Sequence, residues 1–172
     1  MSLVLGIDPG SRITGYGLID VQGSRLSYVD CGCIRTEESA LPARLKKIFD
    51  GLSQLVETYR PSQAAIEEVF VGRNASSALK LGQARGAAMA ACLQSKLEVS
   101  EYSARQVKQA VVGTGAAQKG QVQHMVKALL GISDTLAEDA ADALAVAICH
   151  TNTQRSLIGL AGAKSFSRKR LR

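Results

Sequence analysis

The chain has no tryptophan, and its seven aromatic side chains (four Tyr, three Phe) make up 4% of 172 residues. A core drawn from this alphabet must be aliphatic and rich in alanine, which suits helices that pack closely. The same scarcity argues against a surface that grips single strands on stacked rings. Cysteine is sparse too. Cys31, Cys33, Cys92 and Cys149 form no C-x-x-C pair. Their spacing fits neither a zinc site nor a disulfide framework, so reduced, mostly buried thiols are expected. Apolar runs fall short of the roughly 20 residues that span a bilayer, and no signal peptide is evident. A soluble, cytoplasmic protein without membrane contact is the expectation.

Hydrophobic residues make up 46% of the chain, enough for one globular domain with a real core. The net charge of +6 is unevenly spread. Residues 1–68 carry seven bases against nine acids and residues 69–137 eight against three, whereas 138–154 hold three acids and no base and 155–172 six bases and no acid. A basic chain with a few localised carboxylates suits phosphodiester chemistry: bases hold a polyanion while acids hold a metal.

Three apolar runs at 3–8, 13–20 and 25–36, joined by short Gly-containing turns, predict an antiparallel meander. Apolar residues at helical spacing predict a helix over 41–59, which Pro61 ends. A buried strand is expected over 64–70, an alanine-rich helix over 74–94 capped by Asn74 or Ser76, and a short strand over 99–102. Helices over 103–112, 118–130 and 138–153 complete the pattern. The expected fold is α/β: a five-stranded mixed sheet, three antiparallel N-terminal strands plus two more, flanked by helices on both faces. The domain should span residues 1–154, with 155–172 a basic, mobile tail.

Five acids stand out. Asp8 ends the first strand on the face that also carries Gly6, whose missing side chain leaves room for a ligand. A carboxylate inside an apolar strand is costly without a partner or a cation. Glu67 and Glu68 end another strand; only one of them can face Asp8, and periodicity does not choose between them. Asp139 and Asp142 lie three apart, on one face of a helix kept thin by alanines. Capping and helix-dipole roles are the plain alternatives for Asp8 and Asp139. Brought together, four carboxylates would repel, raise one another's pKa and destabilise the fold unless a hard, oxygen-bound cation relieved them. That set favours Mg²⁺ or Mn²⁺ over zinc and points to two-ion displacement at phosphorus.

These same segments resemble the RuvC family of Holliday-junction endonucleases within the ribonuclease-H-like superfamily. The matching runs, in order, are Gly6-Ile7-Asp8-Pro9-Gly10-Ser11-Arg12, Ala65-Ile66-Glu67-Glu68-Val69-Phe70, the stretch from Asn74 to Gly86, Tyr102-Ser103-Ala104-Arg105-Gln106-Val107-Lys108, and Asp139-Ala140-Ala141-Asp142-Ala143-Leu144-Ala145. The resemblance implies Asp8, Glu67, Asp139 and Asp142 as catalytic metal ligands, choosing Glu67 over Glu68. It implies Mg²⁺, replaceable by Mn²⁺, with two ions per site when DNA is bound. Phe70 matches the family's base-contacting aromatic, and Lys108 and Lys119 match lysines that contact DNA or stabilise charge at the scissile phosphate. Arg73, Lys80 and Arg85 are further candidate DNA contacts. A homodimer, with Ala78, Gly82 and Gly86 as a candidate close-contact stripe, would cut a four-way junction symmetrically in strands of like polarity, in cooperation with a RuvA–RuvB branch-migration complex. The alternative use of that stripe is packing on the sheet. An actin-, Hsp70- or sugar-kinase-type ATPase shares the Asp8-Pro9-Gly10 opening, but such enzymes need two domains around a nucleotide, and no Walker A sequence is present.

Overall fold

The structure is a computed structural model that describes residues 2–38, 40–69, 74–160, 166–167 and 170–171. Strands β1 (Ser2–Asp8), β2 (Ile13–Gln22) and β3 (Arg25–Arg35) form the expected antiparallel meander. β4 (Gln63–Glu67) pairs in parallel with β1, and β5 (Val99–Tyr102) pairs in parallel with β4, giving the order β3-β2-β1-β4-β5. The two parallel steps follow from the intervening helices, because a parallel neighbour needs a long crossover.

Side chains alternate across the sheet and divide the core in two. Leu5, Ile7, Leu18, Ala64 and Ile66 pack under α1 (Leu41–Tyr59) and α2 (Ala75–Gln94). Val4, Ile19, Ala65 and Tyr102 pack under α3 (Ala104–Val112), α4 (Lys119–Leu130) and α5 (Glu138–Leu160). Each helix shows its local cause. α1 buries Ile48, Leu52 and Val56 at four-residue spacing and closes on Arg60 in the left-handed conformation. α2 starts where the Asn74 side chain accepts a hydrogen bond from the Ser77 N–H at 3.2 Å. At α3, the Ser103 N–H donates to Gln106 Oε1 at 2.9 Å, and Gly113 (φ 86) ends the helix.

The last helix departs from expectation. It continues to Leu160, past the boundary expected at 154. Polar anchors replace the lost hydrophobic period: Asn152 Nδ2 donates to the Ala110 carbonyl at 3.0 Å, and the Arg155 guanidinium donates to the Gly23 carbonyl. Hydrophobic periodicity cannot register such anchors. Beyond the helix, β6 (Phe166–Ser167) and β7 (Arg170–Leu171) form a two-residue antiparallel pair.

The four cysteines are free, with Cys92 and Cys149 buried and the other two partly so. No helix among the described residues is long and apolar enough to cross a membrane.

Candidate active site

Three glycines place α5 on the sheet. A Cβ on Gly6 would lie 2.1 Å from the Ala143 carbonyl oxygen, one on Gly15 2.0 Å from the Asp139 carbonyl oxygen, and one on Gly17 2.7 Å from the Leu144 side chain. The helix backbone therefore rests directly on β1 and β2. Buried Ala140, Ala141, Ala143, Ala145 and Ala147 give it a surface thin enough to do so. This corrects one expectation: the space beside Gly6 belongs to α5 and not to a ligand.

The close approach assembles the acids. β1 and β4 run parallel with Ile7 opposite Ile66, so Asp8 and Glu67 emerge side by side at the same end of the sheet. Strand alternation turns both toward α5, whose first turns carry Asp139 and Asp142. Glu68 is exposed on the opposite alternation, so Glu67 is the one of the pair that faces α5 beside Asp8.

Burial, reinforced by the charges of Glu67, Asp142 and Asp139, pushes the Asp8 carboxyl up to about 8. Glu67 is also raised, by burial first and then by Asp142, against the opposing pull of Lys119 and Lys108. Asp142 is raised by burial, partly offset by its hydrogen bond to Lys119. The expected mutual repulsion is present, but desolvation leads it at all three positions.

Lys119, the first residue of α4, bridges α4 to α5. Its ammonium lies 2.8 Å from an Asp142 oxygen and also pairs with Glu138. Burial opposes its charge, but these hydrogen bonds win and hold it above its ordinary value. Lys108 lines a 170 Å³ cavity together with Lys119, Glu67 and Asp142. A second cavity, of 430 Å³, lies against Asp8, Glu67 and Glu68, with Leu81 and Arg105 also in its lining. Glu67 borders both.

As folded, no three His, Cys, Asp or Glu side chains among the described residues stand close enough to share one metal ion. Asp142 is engaged by Lys119 instead. The donors are nonetheless all carboxylate oxygens, which suit Mg²⁺ or Mn²⁺. Crowding and partial burial disfavour the charged form of such donors, which a bound cation would favour.

The other expected contacts are spread out. Lys80 is exposed on α2. Arg85 pairs with Glu101 and buries its Nε without a partner, so its charge is largely spoken for. Phe70 and Arg73 lie outside the described residues. A Cβ on Gly82 or on Gly86 would meet no atom within 4 Å, which excludes their use in packing on the sheet. Sequence reasoning missed Glu138 as the partner of Lys119, and Arg105 and Leu81 as cavity walls. None has a spacing signal, because each reaches the site through tertiary packing.

A family model described as crossover junction endodeoxyribonuclease RuvC matches residues 4–150. The crossover junction endodeoxyribonuclease RuvC of Francisella tularensis subsp. novicida (strain U112) is 56% identical over 170 residues, covering 99% of each chain. The protein of the same name from Francisella philomiragia subsp. philomiragia is similar to the same extent. Among solved structures, T. thermophilus RuvC in complex with Holliday junction substrate matches at a TM-score of 0.85 with 32% identity, covering 91% of this chain and 96% of that one. The yeast mitochondrial Holliday junction resolvase matches at 0.65 with 14% identity, over 92% of this chain and 83% of that one, a likeness of fold alone.

Proposed function

The chain belongs to the RuvC family of crossover junction endodeoxyribonucleases, and from that premise we propose that Asp8, Glu67, Asp139 and Asp142 are its catalytic metal-binding set in the resolution of four-way DNA junctions. The observation that carries this reading is Asp8: a half-buried carboxyl at a strand end, raised to about 8, beside three more acids from two other elements. Lys119 offsets the charge of Asp142 alone, and gathering Asp8 and Glu67 beside it costs stability that a bound cation would offset.

Bound Mg²⁺, or Mn²⁺ in its place and two ions once DNA arrives, would supply Lewis-acid stabilisation at phosphorus and a more acidic water. The chain's own residues do the rest. Asp8 and Glu67 hold one side of the site on the rigid sheet, and Asp139 and Asp142 face them from α5. Asp142 would be one of the ligands holding the ion, and Lys119, which lies beside it at the start of α4, would meet negative charge at the phosphate. Lys108 is already positioned beside it. Lys80 and Arg73 add non-specific phosphate contacts, with Arg85 the weakest candidate, and Phe70 wedges against an unstacked base.

Symmetric cutting needs two sites of matching polarity, which a two-fold dimer provides. The outer face of α2 supports this. Leu79 is 65% exposed and Leu93 56%, and Gly82 and Gly86 lie bare between them on the same stripe. Paired incisions in strands of like polarity, in recombination and repair in the cytoplasm and beside a RuvA–RuvB complex, complete the reading. It is tested by cutting a synthetic junction in Mg²⁺ and mapping products on all four strands, with linear duplex as the comparison. Paired cuts by the wild type and none by Asp8→Asn are expected; duplex cut as well as junction overturns it.

A further inference from the structure

Arg105 lines the larger cavity together with Asp8 and Glu67. That cavity, at 430 Å³, has room for roughly a dozen waters, more than a pair of ions requires. Its walls are also partly apolar, from Pro9, Val69 and Leu81, which suits a carbon-bearing group beside the acids and not ions alone. The two cavities meet at Glu67, one with Lys108 and Lys119 and the other with Arg105 as its cation. Their shared wall at Glu67 and Ala104 gives a strand laid across the carboxylates a continuous path from one cavity into the other.

Lys119 is paired with Asp142 and Glu138, and Arg85 with Glu101, whereas Arg105, like Lys108 in the adjoining cavity, makes no ion pair among the described residues. Its stem is nevertheless seated. A Cβ on Gly115 would fall 2.7 Å from Arg105 Cγ and 3.3 Å from its Nε, so the bare backbone of the α3–α4 loop shapes the path of the side chain. Gln109 pins that loop: its Oε1 accepts from the Gly115 N–H at 3.1 Å, and its Nε2 donates to the Gly113 carbonyl at 2.7 Å. An exposed guanidinium without an ion-pair partner, its stem lying against Gly115, has the chemistry of a phosphate contact.

We infer that the larger cavity seats the nucleotide next to the scissile phosphate, and that Arg105 grips the phosphate of that nucleotide. With Lys108 and Lys119 on one side of Glu67 and Arg105 on the other, the strand is fixed at two points and the cut falls on one bond. The inference rests on the junction-cutting reading above.

The test is single-turnover cutting of a junction in which each phosphate near the cut is replaced, one at a time, by a neutral methylphosphonate. One of the two phosphates adjoining the scissile one should slow the wild type about tenfold, the loss of one charge-assisted hydrogen bond. Arg105→Ala should be as slow on unmodified DNA and insensitive to that substitution, while spreading incisions to neighbouring bonds. Arg105→Lys should recover part of the rate, and Arg105→Met, which keeps the stem over Gly115, should match Arg105→Ala if the charge is what matters. Gly115→Ala should reproduce a milder form of the defect with circular dichroism unchanged. Effects of Arg105→Ala and the methylphosphonate that multiply, or an unaltered incision map, overturn the inference. Failure of the wild type to cut unmodified junction would instead sink the functional reading beneath it.

Discussion

Without metal, the acid cluster should make the protein less stable as pH rises from 6.5 to 8. Asp8 has an ordinary value of 3.8 and is raised to about 8 in the fold. Between those limits the folded state holds a proton that the unfolded chain has lost. Its contribution is complete below 3.8 and disappears as pH climbs through 8, at a slope of about 1.4 kcal/mol per pH unit. His150 works the other way. Its buried ring is depressed from 6.5 to about 4, so it costs stability only as pH falls below 6.5. The two slopes oppose each other in the acid range and leave Asp8 alone above 6.5. From pH 6.5 to 8 the loss is about 2 kcal/mol, equivalent to roughly 4–8 °C in Tm for a chain of this size. Glu67 and Asp142, also raised, act in the same direction. Thermal unfolding in chelator, for wild type and Asp8→Asn across that window, measures it. The difference between the two should grow with pH, with the variant more stable at pH 8, and saturating Mg²⁺ should flatten the wild-type slope. A wild type whose Tm rises from pH 6.5 to 8 in chelator, or tracks Asp8→Asn throughout, would refute the reasoning.

Glu67→Gln should abolish junction cutting while Glu68→Gln keeps most of it, because only Glu67 turns toward α5; a gel assay reversing that order would overturn the strand-face assignment. Gly6→Ala drives a methyl into the Ala143 carbonyl at 2.1 Å and should cost about 3 kcal/mol, in the upper range for overpacking; an unchanged urea midpoint would show that α5 does not rest on β1. Gly86→Lys should leave helix content intact but give a monomer by sedimentation and single nicks in place of paired cuts. A dimer that persists would move the interface away from α2.

Most of the fold is legible in the sequence because its elements are short and strongly patterned. The meander, the α1 stripe and the Asn74 cap all follow from residues close in sequence. The thinness of α5 can be read from its alanines, but its place over Gly6, Gly15 and Gly17 cannot, since those glycines read equally well as open space. Alternation leaves Glu67 and Glu68 equivalent, and only the parallel pairing of β1 with β4 separates them. The end of α5 escapes a sequence reading because Asn152 and Arg155 anchor it through backbone carbonyls that no periodicity reveals. Arg105 is one basic residue among many until Gly115 gives its stem a seat beside the acids.

The joint grip of the four acids on a cation is measured most directly by Mn²⁺ binding, followed by electron paramagnetic resonance with junction DNA present. Asp8→Asn, Glu67→Gln, Asp139→Asn and Asp142→Asn should each weaken Mn²⁺ binding at least about tenfold while junction affinity holds. Undiminished Mn²⁺ affinity across all four variants, or full cutting in chelator, would contradict it.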